Sequence, residues 1–238
     1  MQLSNTAMIS SKIPADYAGQ HIPLPRKSSD ARASFNIFGI EKVYTRGENL
    51  FVEGQMPQFV YILSSGRVKI YVTSRDGKTM ILRIAEAGDV LGLSAALNSS
   101  EYEISAEAVE YCQVKAIRSH DFMELLGKSP AAAMEATQCL LREHRNMFKD
   151  VCRLGLPATV AGRIASLLLD WREGRIKAGQ GEPRLTLTLT QEEIAGMTGT
   201  SRETVSRIMH QFQKEKLISV KGAFLTVLQP QALEQLAV

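Results

Sequence analysis

The stretch LTQEEIAGMTGTSRETVSRIMHQF, residues 189–212, holds two short apolar-periodic segments separated by a glycine. Thr190 followed three residues later by Glu193 has the pattern of a capping box. There a hydroxyl and a carboxylate satisfy the free N–H groups of a helix start. Ile194, Ala195 and Met197 then supply small apolar contacts. Gly199 ends this segment, because a sharp turn into a second helix needs a residue that tolerates unusual φ. Thr200 with Glu203 offers a second capping box. Val205, Ile208, Met209 and Phe212 recur at helical spacing and bury one face of the second helix. Arg202, Glu203, Ser206, Arg207 and His210 remain on the other face. The reading is helix, turn, helix.

A charged helix face is most often only a solvated surface. This one has a composition suited to a narrower task. The major groove of duplex DNA admits one α-helix, with its N-terminal turns against the base edges. Arginine can grip guanine N7 and O6 with both arms of its guanidinium, and glutamate can accept from the cytosine amino group. A glutamate is out of place on a surface that merely attracts a polyanion. Arg202, Glu203 and Arg207 are therefore the candidate base-reading residues.

The whole chain gives no such signal. Net charge is +3, so any affinity for nucleic acid must come from a local patch. At 238 residues, 45% hydrophobic and 22% charged, the chain has the composition of an ordinary globular protein of one large or two modest domains. Cys112, Cys139 and Cys152 are too scattered for a disulfide framework or a four-thiolate site, and His21, His120, His144 and His210 lack zinc-ligand spacing. No metal site is expected. The first thirty residues have no long apolar core, and no run of about 18 apolar residues suggests a membrane span. A cytoplasmic place without membrane contact is the resulting expectation. No nucleophile–base pair or phosphate loop points to an enzyme.

Working back towards the N-terminus, residues 1–33 are polar, proline-containing and aperiodic, and read as a flexible arm. Residues 34–129 contain the strand-like runs FVYIL (59–63), RVKIYVTS (67–74) and TMILRIA (79–85), with a hairpin signal at Asp76-Gly77. Glycines 47, 54, 66, 77 and 88 punctuate them at near-regular intervals. Together these predict a small antiparallel barrel or sandwich. Residues 130–156 predict one long helix. Ala133, Thr137, Leu140, His144, Met147, Val151 and Leu154 follow the alternating 4 and 3 steps of a coiled-coil seam. Met134, Leu141, Phe148 and Cys152 form a neighbouring stripe, so one stripe can pack on the barrel and the other on a second copy of the helix. Leu140, His144, Met147 and Val151 are the expected dimer contacts. GLPAT (155–159) is a plausible hinge. Residues 157–238 then hold an amphipathic helix, the alternating strand RLTLTLT, the two helices above and a last hairpin turning at Lys221-Gly222.

SRETVSR (201–207) resembles the recognition helix of the cAMP receptor protein/FNR family of bacterial transcription regulators, and the cAMP receptor protein branch in particular. The match runs in order over residues 35–230: barrel, long dimer helix, GRIASLLL helix, hairpin and winged helix-turn-helix. The fold class expected is thus α+β, with an N-terminal antiparallel jelly-roll barrel like the cyclic-nucleotide-binding domain and a C-terminal winged helix-turn-helix. The resemblance implies base contacts from Arg202, Glu203 and Arg207. It implies phosphate contacts from Thr190, Ser201, Thr204 and Ser206, and a wing around Lys221, itself a phosphate contact. It also implies TGTGA-like half-sites in an inverted repeat, a homodimer, and RNA polymerase as a partner.

The effector cassette departs from the family pattern. Cyclic-nucleotide-binding members hold ribose and phosphate with a glutamate and an Arg-Ser pair after GD-x-x-G. Here, beyond Gly92, the glutamate position is Leu93 followed by Ser94, and the Arg-Ser pair aligns with Tyr102 and Glu103. No Arg or Lys lies between Arg83 and Lys115, whereas Glu101, Glu103, Glu107 and Glu110 do. A buried phosphate beside them would be costly. The adenine-contacting Thr-Ser pair aligns with Phe148 and Lys149. These changes argue against cAMP and leave Gly92, Leu93, Ser94, Tyr102, Glu103 and Phe148 as a possible pocket for another effector. The absence of cysteine before Cys112 argues against an N-terminal iron–sulfur cluster, and haem stays open.

Overall fold

The computed structural model describes Phe35 and residues 39–177, 184–186, 189–222 and 224–237. The expected arm, 1–33, lies outside them. In chain order the first unit comprises β1 (Ile40–Tyr44), β2 (Asn49–Phe51), β3 (Phe59–Ser65), β4 (Arg67–Thr73), β5 (Thr79–Glu86), β6 (Val90–Leu91), α1 (Leu93–Asn98), β7 (Ser105–Ala108) and β8 (Cys112–Arg118). They form two four-stranded antiparallel sheets, ordered β1-β8-β3-β6 and β2-β7-β4-β5. Alternation places Val68 and Ile70 of β4 in the core and turns Lys69 outwards. Tyr61, Leu63, Val114 and Ala116 of one sheet meet Val68, Ile70, Ala85 and Ala106 of the other in a single core.

The expected jelly-roll unit is therefore a sandwich whose sheets are not zipped into a closed barrel. The edge strands β2 and β6 have three and two residues, too few for a closing ladder.

After α2 (Ser119–Lys128) comes α3 (Pro130–Gly155), of 26 residues. Ser129 caps it by accepting from the Ala132 N–H at 3.2 Å, and Pro130 occupies the first turn, where its missing N–H costs nothing. One side of α3 packs on the sandwich. Ala132, Ala136 and Cys139 join Val60, Ile62, Leu93 and Phe122. The opposite side leaves Met134, Leu141, His144, Met147, Phe148 and Val151 exposed. The two stripes divide by one residue from the expected seam, since Leu140 packs on its own sandwich.

The chain breaks at Leu156–Thr159 and continues as α4 (Val160–Lys177), β9 (Arg184–Thr186), α5 (Gln191–Thr198), α6 (Arg202–Lys214), β10 (Ile218–Lys221), β11 (Phe224–Val227) and α7 (Pro230–Leu236). Thr159 Oγ1 accepts from the Gly162 N–H at 3.0 Å, which starts α4 as a side-chain cap does. The strands form one antiparallel sheet, ordered β10-β11-β9. Residues 187–188 of the expected RLTLTLT strand lie outside the described residues. Ile164, Leu167 and Leu168 of α4 pack with Ile194, Val205, Phe212, Leu225 and Leu233. No helix among the described residues is long and apolar enough to cross a membrane.

Candidate nucleic-acid interface

Two caps fix the direction of the candidate reading helix. At the start of α5, Thr190 Oγ1 accepts from the Glu193 N–H at 3.2 Å, and Glu193 Oε2 accepts from the Thr190 N–H at 2.6 Å. Thr190→Ala removes one half of this box and is expected to lower folding stability by about 1 kcal/mol, measurable by urea denaturation. At the far end Gly199 takes φ 61, ψ 46, a left-handed conformation that ends the helix without a Cβ penalty. Thr198 is fully buried, and its hydroxyl donates to Ile194 O at 2.8 Å. From α4, Arg163 Nε donates to Thr198 O at 2.8 Å. A cation thus grips the last carbonyl of α5, where the helix dipole is negative.

The helix that follows does not start on the second expected capping box. Its N-cap is Ser201, which accepts from the Thr204 N–H at 3.3 Å. Thr200 lies one residue too early. Glu203 is instead held by its own backbone N–H and the Ser201 hydroxyl, which lower its pKa below the ordinary carboxylate range. It is ionised at neutral pH.

Val205, Ile208, Met209 and Phe212 are buried beneath α6. Arg202, Glu203, Ser206, Arg207 and His210 are exposed along its outer side. Arg202 and Glu203 occupy its first turn, and Arg207 lies one turn further on. The expected phosphate contacts surround them. Thr190 is exposed at the start of α5, Ser201 caps α6, Thr204 is half-buried beside it and Ser206 is exposed. In the β10–β11 hairpin Lys221 pairs with Phe224, and the chain turns at Gly222 (φ 59), within the expected Lys221-Gly222 hairpin turn, with Lys221 exposed at its edge.

The candidate effector residues are spread over different surroundings. Leu93 is buried in the α1–α3 core. Tyr102 is buried with its ring 4.1 Å from that of Phe51, and its hydroxyl donates to Phe59 O at 2.8 Å. Burial pushes its pKa up to about 12. A Cβ on Gly92 would come within 2.9 Å of the same ring. Ser94 and Glu103 are exposed, and Phe148 lies on the open stripe of α3.

A small cleft lies between the β5–β6 turn and α3. It is lined by residues that the sequence did not suggest, among them Arg83, Asp89, Arg142, Glu143 and Asn146. Arg83 pairs with Asp89 at 3.0 Å. Burial raises the Glu143 pKa against the opposing pull of Arg83, and Asp89 and Glu103 raise it further.

Two family models match the chain in the order the fold presents. A cyclic nucleotide-binding domain covers residues 41–129, and a Crp-like helix-turn-helix domain covers residues 162–236. The fumarate and nitrate reduction regulatory protein of Yersinia pestis is 28% identical over 202 residues, 85% of this chain and 80% of that protein. The cyclic AMP receptor protein of Thermus thermophilus is 27% identical over 196 residues, 82% of this chain and 87% of that one. Among solved structures, FixK2 from Bradyrhizobium japonicum superposes with a TM-score of 0.73 at 24% identity, covering 85% of this chain and 98% of that chain. Both models in sequence, both full-length relatives and the sandwich–helix–winged-helix order lead to one assignment: the chain belongs to the Crp/Fnr family of transcription regulators.

Proposed function

We propose that two copies of this chain read an inverted DNA repeat with TGTGA-like half-sites. In each copy Arg202, Glu203 and Arg207 contact bases, while Thr190, Ser201, Thr204, Ser206 and Lys221 contact phosphates. The observation that carries the proposal is the outward face of α6. Two guanidiniums and an ionised carboxylate are exposed within its first two turns, while its apolar side is buried. The exposed stripe of α3, including His144, Met147 and Val151, with Leu140 at its flank, supports pairing with a second copy. A symmetric pair presenting one reading helix each requires half-sites about one helical turn apart. RNA polymerase is the expected protein partner, and the cytoplasm the expected place.

The effector reading rests on charge. Asp89 and Glu103 both oppose the charge of Glu143, and Arg83 is already paired with Asp89. A cyclic phosphate buried beside these carboxylates would be costly. An effector other than cAMP, or none, fits this chain better.

Fluorescence anisotropy of the full chain tests the DNA reading, with a TGTGA palindrome against a scrambled duplex at two salt concentrations. The palindrome is expected to bind more tightly at both. Equal affinities would remove specific readout. Arg202→Ala is expected to erase roughly 1–3 kcal/mol of discrimination at one guanine per half-site. A loss shared evenly by all sequences would make Arg202 a phosphate contact instead.

A further inference from the structure

The sandwich and the DNA-binding unit share a hydrophobic core. Ile81 of β5 is 5% exposed and belongs to the cluster formed by Ile194, Met197, Val205 and Phe212. Tyr71 and Ile84, from the same β4–β5 hairpin, pack against that cluster. A close approach falls at Gly196 on α5. A Cβ built there would stand 3.1 Å from Ile81 Cγ1 and 3.2 Å from Ile81 Cδ1. The backbone of α5 is therefore seated on one side chain of the sensor sheet, and the lack of a side chain at 196 lets it sit that close.

The next residue of β5 is anchored too. Arg153, at the end of α3, is 6% exposed. Its Nη2 donates to Leu82 O at 3.2 Å and to Asp150 Oδ1 at 2.9 Å. Arg83, one residue further on, forms the ion pair with Asp89 at the small cleft. Three consecutive residues of one strand thus touch the reading unit, the long helix and the small cleft beside α3.

From this juxtaposition we infer that Ile81 and Gly196 are positioning residues for DNA recognition. They set the angle at which the subunit presents α6, and so the half-site spacing that two subunits accept. Neither residue touches DNA in this reading. The inference rests on the proposed palindrome binding. α6 follows α5 after only Gly199–Ser201, and Arg163 fixes the end of α5, so a tilt of α5 on Ile81 is carried to Arg202 and Glu203. Packed elements move as rigid bodies, because their close-packed side chains resist continuous deformation.

The test uses the full chain and palindromes whose spacer is lengthened or shortened by one or two base pairs, with a scrambled duplex as reference. The wild type must first prefer one palindrome over the scrambled duplex; without that preference the proposed function fails, whatever the variants do. Given it, Gly196→Leu is expected to lower affinity for the best spacer at least tenfold and to flatten the spacer profile. Scrambled-duplex affinity and its salt dependence should not change. Adding Ile81→Ala, which opens space for the new side chain, is expected to restore most of the loss. An unchanged spacer profile, or losses that simply add in the double variant, overturns the inference. Should Gly196→Leu fold poorly by its urea midpoint, Ile81→Ala alone decides: a flattened profile is expected, and a wild-type profile refutes the positioning role.

Discussion

Arg153→Met is expected to destabilise the fold by about 3–5 kcal/mol, the typical cost of removing one partner from a buried ion pair. The side chains of Arg153 and Asp150 are 6% and 11% exposed, with 2.9 Å between Nη2 and Oδ1. Asp170 Oδ2 lies 3.9 Å from Nη1. Methionine preserves much of the volume but leaves the Asp150 carboxylate without its nearest cation. Burial already raises the Asp150 pKa above its ordinary 3.8, while Arg153 and then Arg83 pull it down and Asp170 adds to the rise. A group with a raised folded pKa holds its proton better in the native state than in the unfolded one. Its contribution is then most favourable at acid pH and declines as pH rises from the unfolded value through the folded one. Loss of Arg153 moves the folded value higher. The variant's deficit should therefore be larger at pH 7 than at pH 5. Urea denaturation at both pH values measures it. Adding Asp150→Leu should recover much of the loss and flatten the pH dependence. A deficit below about 1 kcal/mol, equal at both pH values, would show that the pair contributes no more than an exposed one.

Neither Arg153 nor Ile81 was legible as an anchor in the sequence, and the reason is physical. Helical periodicity reports which positions share a face. It does not report which distant strand that face meets. Arg153 and Asp150 lie near the end of α3 with no local signal of burial, yet α3, α4 and β5 converge there and bury them. Gly196 carries no local signal, because its use is a contact with a residue 115 positions earlier. Local rules did better where the determinant is local. The Thr190–Glu193 box and the Gly199 turn follow from hydrogen bonds within a few residues, and both are present. The second cap falls on Ser201, although Thr200 with Glu203 carries the box pattern in the sequence. Backbone geometry chooses between them: Ser201 has the extended φ −90, ψ 156 that a cap requires. The open sandwich, too, is set by more than local pattern. Turn spacing predicts short antiparallel strands but not whether the outer ones are long enough to zip.

Phe148→Asp combined with Val151→Asp is expected to convert the protein from dimer to monomer at micromolar concentration, and to lower its affinity for the palindrome by roughly 10²–10⁴-fold. Phe148 and Val151 are 65% and 62% exposed on the open face of α3, in line with Met134 and Leu141 at 61% and 53%. Four apolar side chains along one helix face are costly to leave in water and suit a self-complementary seam. Across a two-fold axis each substituted carboxylate faces its own copy or a near neighbour, so one change introduces like charges from both sides. The subunit's own core is untouched, because neither side chain belongs to it. Far-ultraviolet circular dichroism should therefore match the wild type, while sedimentation velocity reports the smaller species. With one reading helix per binding unit the second half-site adds nothing. The salt dependence of palindrome binding should fall to about half, in proportion to the phosphates still contacted. A variant that remains dimeric would remove α3 as the seam, and a monomer that still bound the palindrome like the wild type would mean that one subunit reads DNA alone.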